Sequence, residues 1–226
     1  MIDKTVRSMA EAMSGIKDGS IVLLGGFAGV GHAPHLMDGL IEQGAKDLTI
    51  VANTVGGGEL GVSKLIGLGR VRKLIVSWAR SRLGGHFEAL YKEGKIELEL
   101  TPQGTLAERM RAAGAGVPAF YTPASVGTPL AHGKEHREID GRVYVLEKAI
   151  KGDVALVEAW QADRWGNLVY RASGRNFNPN AAAAAELTIV QTQHMVALGD
   201  IPPDQIHTPG IFVKRVLHLP YGDPAF

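Results

Sequence analysis

The stretch that most constrains this chain is a glycine-rich segment, SIVLLGGFAGVGHAP, at residues 20–34. An apolar run at residues 21–24 leads into four glycines within seven residues, and Pro34 then opens a segment with helical spacing. This order is typical of a strand that delivers a ligand loop to a helix N-terminus. Because glycine permits positive φ and close backbone approach, we predict a loop that binds an anion or oxyanion. A turn that is glycine-rich only for tight packing is the alternative.

The first half of the chain continues this alternation of strand and helix patterns. Apolar and β-branched runs predict strands at residues 47–53, 71–78 and 96–100. Helical spacing predicts helices at residues 34–44, 62–66, 86–93 and 105–113. Strands separated by helices in this way indicate an α/β fold with a largely parallel, open sheet covered by helices.

In the second half of the chain, predicted strands outnumber predicted helices. Asp140 and Gly141 predict a hairpin, and strands at residues 153–160 and 167–170 are joined by a short turn. A short helix at residues 179–186 and strands at 187–191 and 211–219 follow, and residues 119–134 are predicted to be irregular. Residues 3–16 show helical spacing and predict an N-terminal helix. We expect residues 1–226 to form a single domain.

Composition excludes several classes of function. The chain has 24 basic and 23 acidic residues, a net charge of +1, so neither nucleic acid nor an anionic membrane is an expected partner. It has no cysteine, which excludes disulfides and thiolate chemistry and fits a reducing compartment. The N-terminus lacks the apolar core of a signal peptide, and no apolar run approaches the length of a membrane span. We therefore expect a cytoplasmic protein.

Two short spacings are those of a short-chain dehydrogenase. Gly25, Gly29 and Gly31 have the G-x-x-x-G-x-G pattern, and Tyr91 and Lys95 have the Y-x-x-x-K pattern. The tyrosine follows the loop by only about 60 residues, which leaves too few βα units between them. Gly94 also interrupts the helix that would carry the pair, and Asn53 stands where an acid would bind ribose. An NAD(P)-dependent dehydrogenase remains the alternative from another class.

Two histidine pairs have helical metal-ligand spacing. They are His32 with His35, and His132 with His136. Neither pair has a convincing third ligand nearby, and Gly133 disfavours a helix through the second pair. We therefore predict no metal site.

Six segments in the same order resemble the A (alpha) subunit of the family I CoA-transferases. They are DGSIVLLGGFAGVG, VAN, ELTPQGTLAERMRAAGAGVPAFYTPASVGT, EIDGRVYVLE, ADRWGNLVYRASGRNFNP and HTPGIFVKRV, and the resemblance runs over residues 5–216. The segments EIDGRVYVLE and DRWGNLVYR further resemble the 3-oxoadipate branch of that family. The implied fold is an open α/β sheet of the NagB/RpiA/CoA-transferase type, which agrees with the pattern of elements. That fold is shared with sugar-phosphate isomerases, a weaker alternative.

The resemblance implies transfer of CoA from succinyl-CoA to a 3-oxo acid. The acceptor would be 3-oxoadipate, in the breakdown of aromatic compounds, with acetoacetate as the alternative. A glutamate carboxylate attacks the thioester in this mechanism, and it lies in a B subunit within a Glu-Asn-Gly motif. This chain contains no Glu-Asn-Gly and would be inactive alone. The implied partner is a B subunit, in a heterodimer or heterotetramer. CoA and succinyl-CoA would be substrates, with no permanently bound cofactor.

The resemblance also implies site residues. The CoA-binding loop would comprise Gly25, Gly26, Phe27, Ala28, Gly29, Val30 and Gly31. Asn53 and Gln103 would supply amide donors that support catalysis without adding charge, although a turn cap and a helix cap are their respective alternatives. Arg80, which follows a strand end, would pair with the second carboxylate of the acceptor unless it is simply solvated.

This chain departs from the family pattern at two positions. His32 and Ala33 separate the last loop glycine from Pro34, one residue more than usual. Thr54 stands where many relatives have a second asparagine. The first difference bears on the register of the loop, and the second bears on one amide contact.

Overall fold

Strands make up most of the framework in the computed structural model, which describes residues 2–80 and 86–220. Within those residues the strands are β1 Thr5–Val6, β2 Ile21–Leu24, β3 Leu48–Thr54, β4 Val71–Trp78, β5 Glu97–Leu100, β6 Ala119–Thr122, β7 His136–Ile139, β8 Arg142–Lys148, β9 Gly152–Ala162, β10 Leu168–Val169, β11 Ala185–Met195 and β12 Arg215–His218. The α-helices are α1 Met9–Met13, α2 Pro34–Gln43, α3 Gly61–Gly67, α4 His86–Lys92, α5 Gln103–Gly114 and α6 Asn178–Ala184.

The main sheet has the strand order β1-β12-β11-β9-β2-β3-β4-β5, and β10 pairs with β9. Every pairing along this order is parallel, and only the β9–β10 pairing is antiparallel. Strands β6, β8 and β7 form a separate antiparallel sheet. The predicted α/β fold with a largely parallel, open sheet is therefore confirmed.

Both faces of the central strands of the main sheet are buried, which explains their continuous apolar runs. In β2, Val22 and Leu24 face one side, where they join Leu36 and Leu40 of α2 in a core cluster. Leu23 points to the other side, into a second cluster that includes residues of α5 and α6. No helix in the described part of the chain combines the length and the apolarity needed to cross a bilayer.

Three predicted elements were wrong in part. The helix predicted at residues 3–16 is limited to Met9–Met13, because Thr5 and Val6 pair with β12 and the Ser8 side chain caps the helix N-terminus. The segment predicted as irregular at residues 119–134 contains β6, which pairs with β8. The last strand begins at Arg215, since Gly210–Phe212 forms a 3-10 turn.

The other predicted elements agree with the structure within a few residues. The Asp140–Gly141 turn joins β7 and β8 with positive φ at both residues, as a two-residue hairpin requires. Pro34 stands in the first turn of α2, and Gly44 ends that helix in the left-handed conformation.

Candidate active site

A row of polar and glycine positions lies at one edge of the main sheet. Strands β2, β3, β4 and β5 are parallel, so their carboxyl ends meet there, where open α/β sheets place their ligands. Continuing the strand register brings Gly25, Asn53, Ser77 and Thr101 to the same level on four successive strands. Two of the sequence-predicted site regions, the glycine loop and the end of β3, are therefore neighbours.

Asn53 is the centre of a hydrogen-bonded cluster at this edge. Gln103 Nε2 donates to Asn53 Oδ1 at 2.8 Å, and Ser77 Oγ lies 2.8 Å from the same oxygen and 2.9 Å from the Asn53 carbonyl oxygen. The Asn53 side chain is buried, whereas Gln103 is exposed at the first position of α5. The N-terminus of α5 has no side-chain cap, so Gln103 contacts Asn53 instead of capping its helix.

This cluster fixes the orientation of the Asn53 amide. Gln103 Nε2 donates to Oδ1, and the single Ser77 hydroxyl proton lies between Oδ1 and the Asn53 carbonyl oxygen. We assign the amide from that network, which leaves the Nδ2 hydrogens for another acceptor. An amide donor at a buried strand end stabilises negative charge without neutralising a nearby carboxylate. Thr54, the departure from the family pattern, accepts a hydrogen bond from the Gly56 N–H at 3.4 Å and so supports the next loop.

The glycine loop is a tight hairpin. Phe27 and Val30 exchange two backbone hydrogen bonds of 2.9 Å, and Ala28 and Gly29 between them have φ values of 48° and 88°. These are the two left-handed residues of a type I′ turn. The tip is exposed, with Phe27 and Val30 at 45% and 40% relative exposure, while Gly25 and Gly26 are buried. The loop therefore projects from the sheet edge beside Asn53.

Several N–H groups of the loop already have partners inside the protein. The Gly25 N–H donates to the Leu156 carbonyl at 3.3 Å, and the Gly26 N–H donates to Asn176 Oδ1 at 2.9 Å. Those of Phe27 and Val30 close the hairpin. Among the residues that the structure describes, the N–H groups of Ala28, Gly29 and Gly31 have no hydrogen-bond acceptor. Ala28 and Gly29 stand at the exposed tip, whereas Gly31 is buried at the end of the loop, so the donors that are exposed to a ligand are those of the tip.

Close packing explains the first two glycines. A Cβ on Gly25 would lie 1.8 Å from Asn178 Oδ1, and one on Gly26 would lie 2.2 Å from Nδ1 of His32. Asn178 is fully buried, and its Oδ1 accepts the Glu158 N–H at 3.2 Å. The tight-packing alternative thus accounts for the base of the loop, whereas Gly29 supplies positive φ with no neighbour within 4 Å.

Sequence reasoning missed three residues of this edge. The sequence indicates no role for Ser77, because a single serine inside an apolar strand has no distinguishing pattern. Asn176 and Asn178 contact the glycine loop from about 150 residues away in the chain, and their contacts appear only once the sheet is assembled. The N-F-N triplet that follows small residues in ASGRNFNP was the signal that could have found them.

The remaining candidate residues lie apart from this cluster. Arg80 is exposed two residues beyond β4, at the same sheet edge, and its role stays a prediction. Tyr91 lies on α4 and stacks on Phe87, whereas Lys95 follows the helix end and pairs with Glu93 at 2.7 Å. Gly94 separates them with a φ of 69°, so the two dehydrogenase-like residues do not share a helix face.

The histidine pairs do not assemble a cluster of metal ligands. Within residues 2–80 and 86–220, no group of three or more histidine, cysteine, aspartate or glutamate side chains is placed to hold a metal ion. His132 ends a 3-10 turn and His136 begins β7, so the second pair is not on a helix.

Comparison with known proteins places these features in a family. Residues 6–219 match the profile of the family described as Coenzyme A transferase. The chain is 52% identical to the A subunit of 3-oxoadipate CoA-transferase from Pseudomonas putida over 96% of its own length and 94% of that protein. It is 46% identical to the A subunit of a probable succinyl-CoA:3-ketoacid coenzyme A transferase from Bacillus subtilis, over 95% and 89% of the two chains.

Solved structures show the same fold at lower identity. Glutaconate coenzyme A-transferase from Acidaminococcus fermentans has a TM-score of 0.85 at 23% identity, covering 96% of this chain and 76% of that one. An acyl-CoA transferase from Escherichia coli O157:H7 has a TM-score of 0.84 at 23% identity, covering 98% of this chain and 48% of that one.

Proposed function

Because this chain belongs to the coenzyme A transferase family, we propose that it is one of two polypeptides that move CoA from succinyl-CoA to 3-oxoadipate. Relatives from Pseudomonas putida and Acinetobacter baylyi, at 52% and 51% identity, are named as the A subunit of 3-oxoadipate CoA-transferase. The structural observation that carries the proposal is the Asn53 cluster beside the glycine hairpin. It offers donors for a developing negative charge, and its side chains include no nucleophilic carboxylate of their own.

The proposed reaction uses a glutamate of the partner polypeptide. Its carboxylate attacks the succinyl thioester carbonyl, a C–O bond forms, and the C–S bond breaks to release CoA thiolate and leave a mixed anhydride. The thiolate then attacks the glutamyl carbonyl and releases succinate, which leaves CoA on the glutamate as a thioester. The carboxylate of 3-oxoadipate repeats the sequence in reverse. It displaces the thiolate, which attacks the new anhydride to give 3-oxoadipyl-CoA and free glutamate.

This chain would stabilise the charge that develops in each of these steps. Every attack creates a tetrahedral oxyanion, and the Asn53 amide and the tip N–H groups are donors at the sheet edge. Loss of one such donor typically lowers kcat by about 100- to 1,000-fold. We therefore expect Asn53→Ala to lower kcat by that amount in the assembled enzyme. Gln103→Ala should have a smaller effect, because Gln103 acts through Asn53 Oδ1.

The experiment that tests the proposal is co-purification with the partner, followed by assay with succinyl-CoA and 3-oxoadipate. Intact-mass spectrometry after incubation with succinyl-CoA alone should show the partner chain heavier by CoA minus one water. Formation of 3-oxoadipyl-CoA should depend on both chains. Turnover of NAD(P)H by the isolated chain, without any CoA transfer, would overturn the proposal in favour of the dehydrogenase.

The acceptor is open to a separate test, since the Bacillus subtilis relative bears the name of a 3-ketoacid transferase. Arg80 is exposed at the carboxyl end of β4 and would pair with the second carboxylate of 3-oxoadipate. Arg80→Ala should then raise KM for 3-oxoadipate by about 10-fold or more and change KM for acetoacetate little, because the lost pair is worth a charged hydrogen bond. Arg72→Ala, at the opposite end of the same strand, is the matched control. An equal effect of Arg80→Ala on both acceptors would show that Arg80 does not select the dicarboxylate.

A further inference from the structure

We propose that Asn176 is a positioning residue that holds the glycine hairpin in its working conformation, an inference that rests on the proposed transferase function. Asn176 follows the 3-10 turn Ala172–Arg175, far from the hairpin in sequence. Its side chain reaches both arms of the hairpin. Oδ1 accepts the Gly26 N–H at 2.9 Å, and Nδ2 donates to the Val30 carbonyl at 3.1 Å.

The geometry is that of a clamp across the hairpin base. The arms are otherwise joined by the Phe27–Val30 backbone pair, and a two-stranded hairpin held by so few bonds is marginally stable in water. Asn176 is anchored in turn, since Nδ2 also donates to the Ser173 carbonyl at 2.9 Å. One amide therefore joins the outgoing arm, the returning arm and the neighbouring turn.

The buried Asn178 supports the clamp from the other side. Its Nδ2 donates to the carbonyls of Gly31 and Gly174, each at 2.9 Å, so the end of the loop is tied to the same turn. The two asparagines thus fix residues 26–31 against a segment that packs on β9 and α6. Because Gly25 is level with Asn53, a shift of the hairpin would also displace the tip donors relative to the Asn53 amide.

In this arrangement one N–H group of the loop serves to hold the hairpin, and different N–H groups are exposed to a substrate. The Gly26 N–H is occupied by Asn176 and cannot donate to an oxyanion, while Ala28 and Gly29 stand at the exposed tip. The Asn176 amide bonds to both hairpin arms and to its own turn, so we expect its loss to act through the position of the tip donors. A misplacement of about 1 Å at a reacting centre costs up to about 100-fold in rate.

The test compares Asn176→Ala and Asn176→Asp with Asn180→Ala in the full-length chain assembled with its partner. Asn176→Asp keeps an acceptor for the Gly26 N–H but sets a carboxylate oxygen against the Val30 carbonyl. Asn180 is a matched control, because its Nδ2 also donates to a backbone carbonyl, that of Ala107 at 3.2 Å, but at the α5–α6 contact. Each variant is measured by hydrogen exchange of the peptide spanning residues 25–31 and by steady-state kinetics.

We expect Asn176→Ala to speed exchange of the hairpin amides about 10-fold or more. It should lower kcat by about 10- to 100-fold with KM for succinyl-CoA within about threefold of wild type. Asn176→Asp should leave Gly26 protected but release the Val30 arm, and Asn180→Ala should change neither readout. Unaltered exchange in Asn176→Ala would overturn the clamp, and faster exchange with unaltered kcat would overturn its positioning role. An inactive wild-type complex would instead refute the proposed function, and the exchange data would still decide the clamp.

Discussion

Gly25 is the most closely packed of the four loop glycines. A methyl group there would meet Asn178 Oδ1 at 1.8 Å, and moving that buried amide would break its bond to the Glu158 N–H. We expect Gly25→Ala to lower the free energy of unfolding by about 2–5 kcal/mol, the sum of overpacking and a lost buried hydrogen bond. At Gly29 a methyl group would meet no atom within 4 Å, and only the positive φ disfavours it. Gly29→Ala should therefore lower the free energy of unfolding by about 1 kcal/mol. Urea unfolding of both variants measures the difference, and equal losses would show that Asn178 moves aside freely.

Ser77 orients Asn53 from the adjacent strand. Its Oγ lies 2.8 Å from Oδ1 of Asn53, so Ser77→Ala removes one of the two donors that hold the amide. We expect kcat of the assembled enzyme to fall about 10-fold with KM within about threefold, because an oriented donor acts on the transition state. Ser77→Thr keeps the hydroxyl and should retain most of kcat. If Ser77→Thr and Ser77→Ala lose the same activity, packing and not the hydrogen bond is what matters.

The candidate residues were predictable to different degrees. Asn53 and Gln103 stand 50 positions apart, and the structure joins them by a 2.8 Å hydrogen bond. Asn53 lies at the carboxyl end of β3 and Gln103 follows β5, and this edge of a parallel sheet is where a ligand site is expected. Ser77 and Asn176 act through contacts between segments. No local pattern distinguishes Ser77 from other serines, and the N-F-N triplet around Asn176 does not by itself indicate which segment it contacts. The sequence likewise does not indicate that the N–H groups of Gly25 and Gly26 are occupied, since their partners come from β9 and from Asn176.

At the scale of elements, a small ion cluster ties helix α5 to two strands. Glu99 on β5 pairs with Arg109 of α5 at 2.6 Å and with Lys73 of β4 at 2.7 Å. Arg109 also donates from Nε to the Lys148 carbonyl at 2.7 Å, which connects the smaller sheet. Burial by itself raises the pKa of Glu99, but hydrogen bonds from Lys73 and Arg109 outweigh it and hold the pKa below its ordinary value of 4.5.

This cluster predicts a loss of stability in acid. The contribution of Glu99 is fully present above its unfolded pKa and disappears as pH falls through the lower folded value. We expect Glu99→Gln to be less stable than wild type at pH 7, and the gap should narrow as pH falls below about 4.5. Glu97→Gln is the control, because the Glu97–Arg72 pair is largely exposed and should contribute little. The urea midpoints of wild type and Glu99→Gln are compared from pH 7 to pH 3. A difference that stays constant over this range would contradict the prediction.

The smaller sheet contains a buried carboxylate with one close cationic partner. Glu147 in β8 is 2% exposed, and Lys134 Nζ lies 2.5 Å from its Oε1. Lys134→Met leaves that charge without its partner and should cost about 3–5 kcal/mol of unfolding free energy. Lys134→Met combined with Glu147→Leu should recover much of the loss, since a buried pair can be replaced by apolar side chains. Chemical denaturation of the single and double variants measures the coupling, and additive losses would contradict it.

Elements were predictable where burial alone determines the pattern. Strands β2, β3 and β4 are covered on both faces and have continuous apolar runs, so the sequence marks them clearly. The helix predicted for the first residues of the chain was wrong because a distant strand determines their structure. Val6 fits a helical spacing with Met9 and Met13, yet it pairs with Leu217 at the sheet edge. That pairing depends on a strand more than 200 residues away, and local spacing contains no trace of it.

On the scale of the whole molecule, the hairpin beside the candidate site exposes apolar surface. The hairpin exposes two apolar side chains, Phe27 and Val30, beside the sheet edge. In the proposed reaction the nucleophilic carboxylate belongs to the partner polypeptide. Under the proposed function a second polypeptide covers this edge and completes the site. Contact of this kind stabilises the folded chain by mass action, about 2.7 kcal/mol when the partner is at 100 times its Kd.

That linkage gives the last prediction. For a chain of 226 residues, 1 kcal/mol moves Tm by about 2–4 °C, so saturating partner should raise Tm of this chain by about 5–10 °C. Phe27→Ser should leave Tm of the isolated chain within about 1 °C, because the side chain is largely exposed, but should reduce the shift caused by the partner. Leu68→Ser is the control, since Leu68 is 49% exposed just after α3 and precedes the opposite end of β4. Differential scanning calorimetry measures all three, and an undiminished shift in Phe27→Ser would place the partner elsewhere on the molecule.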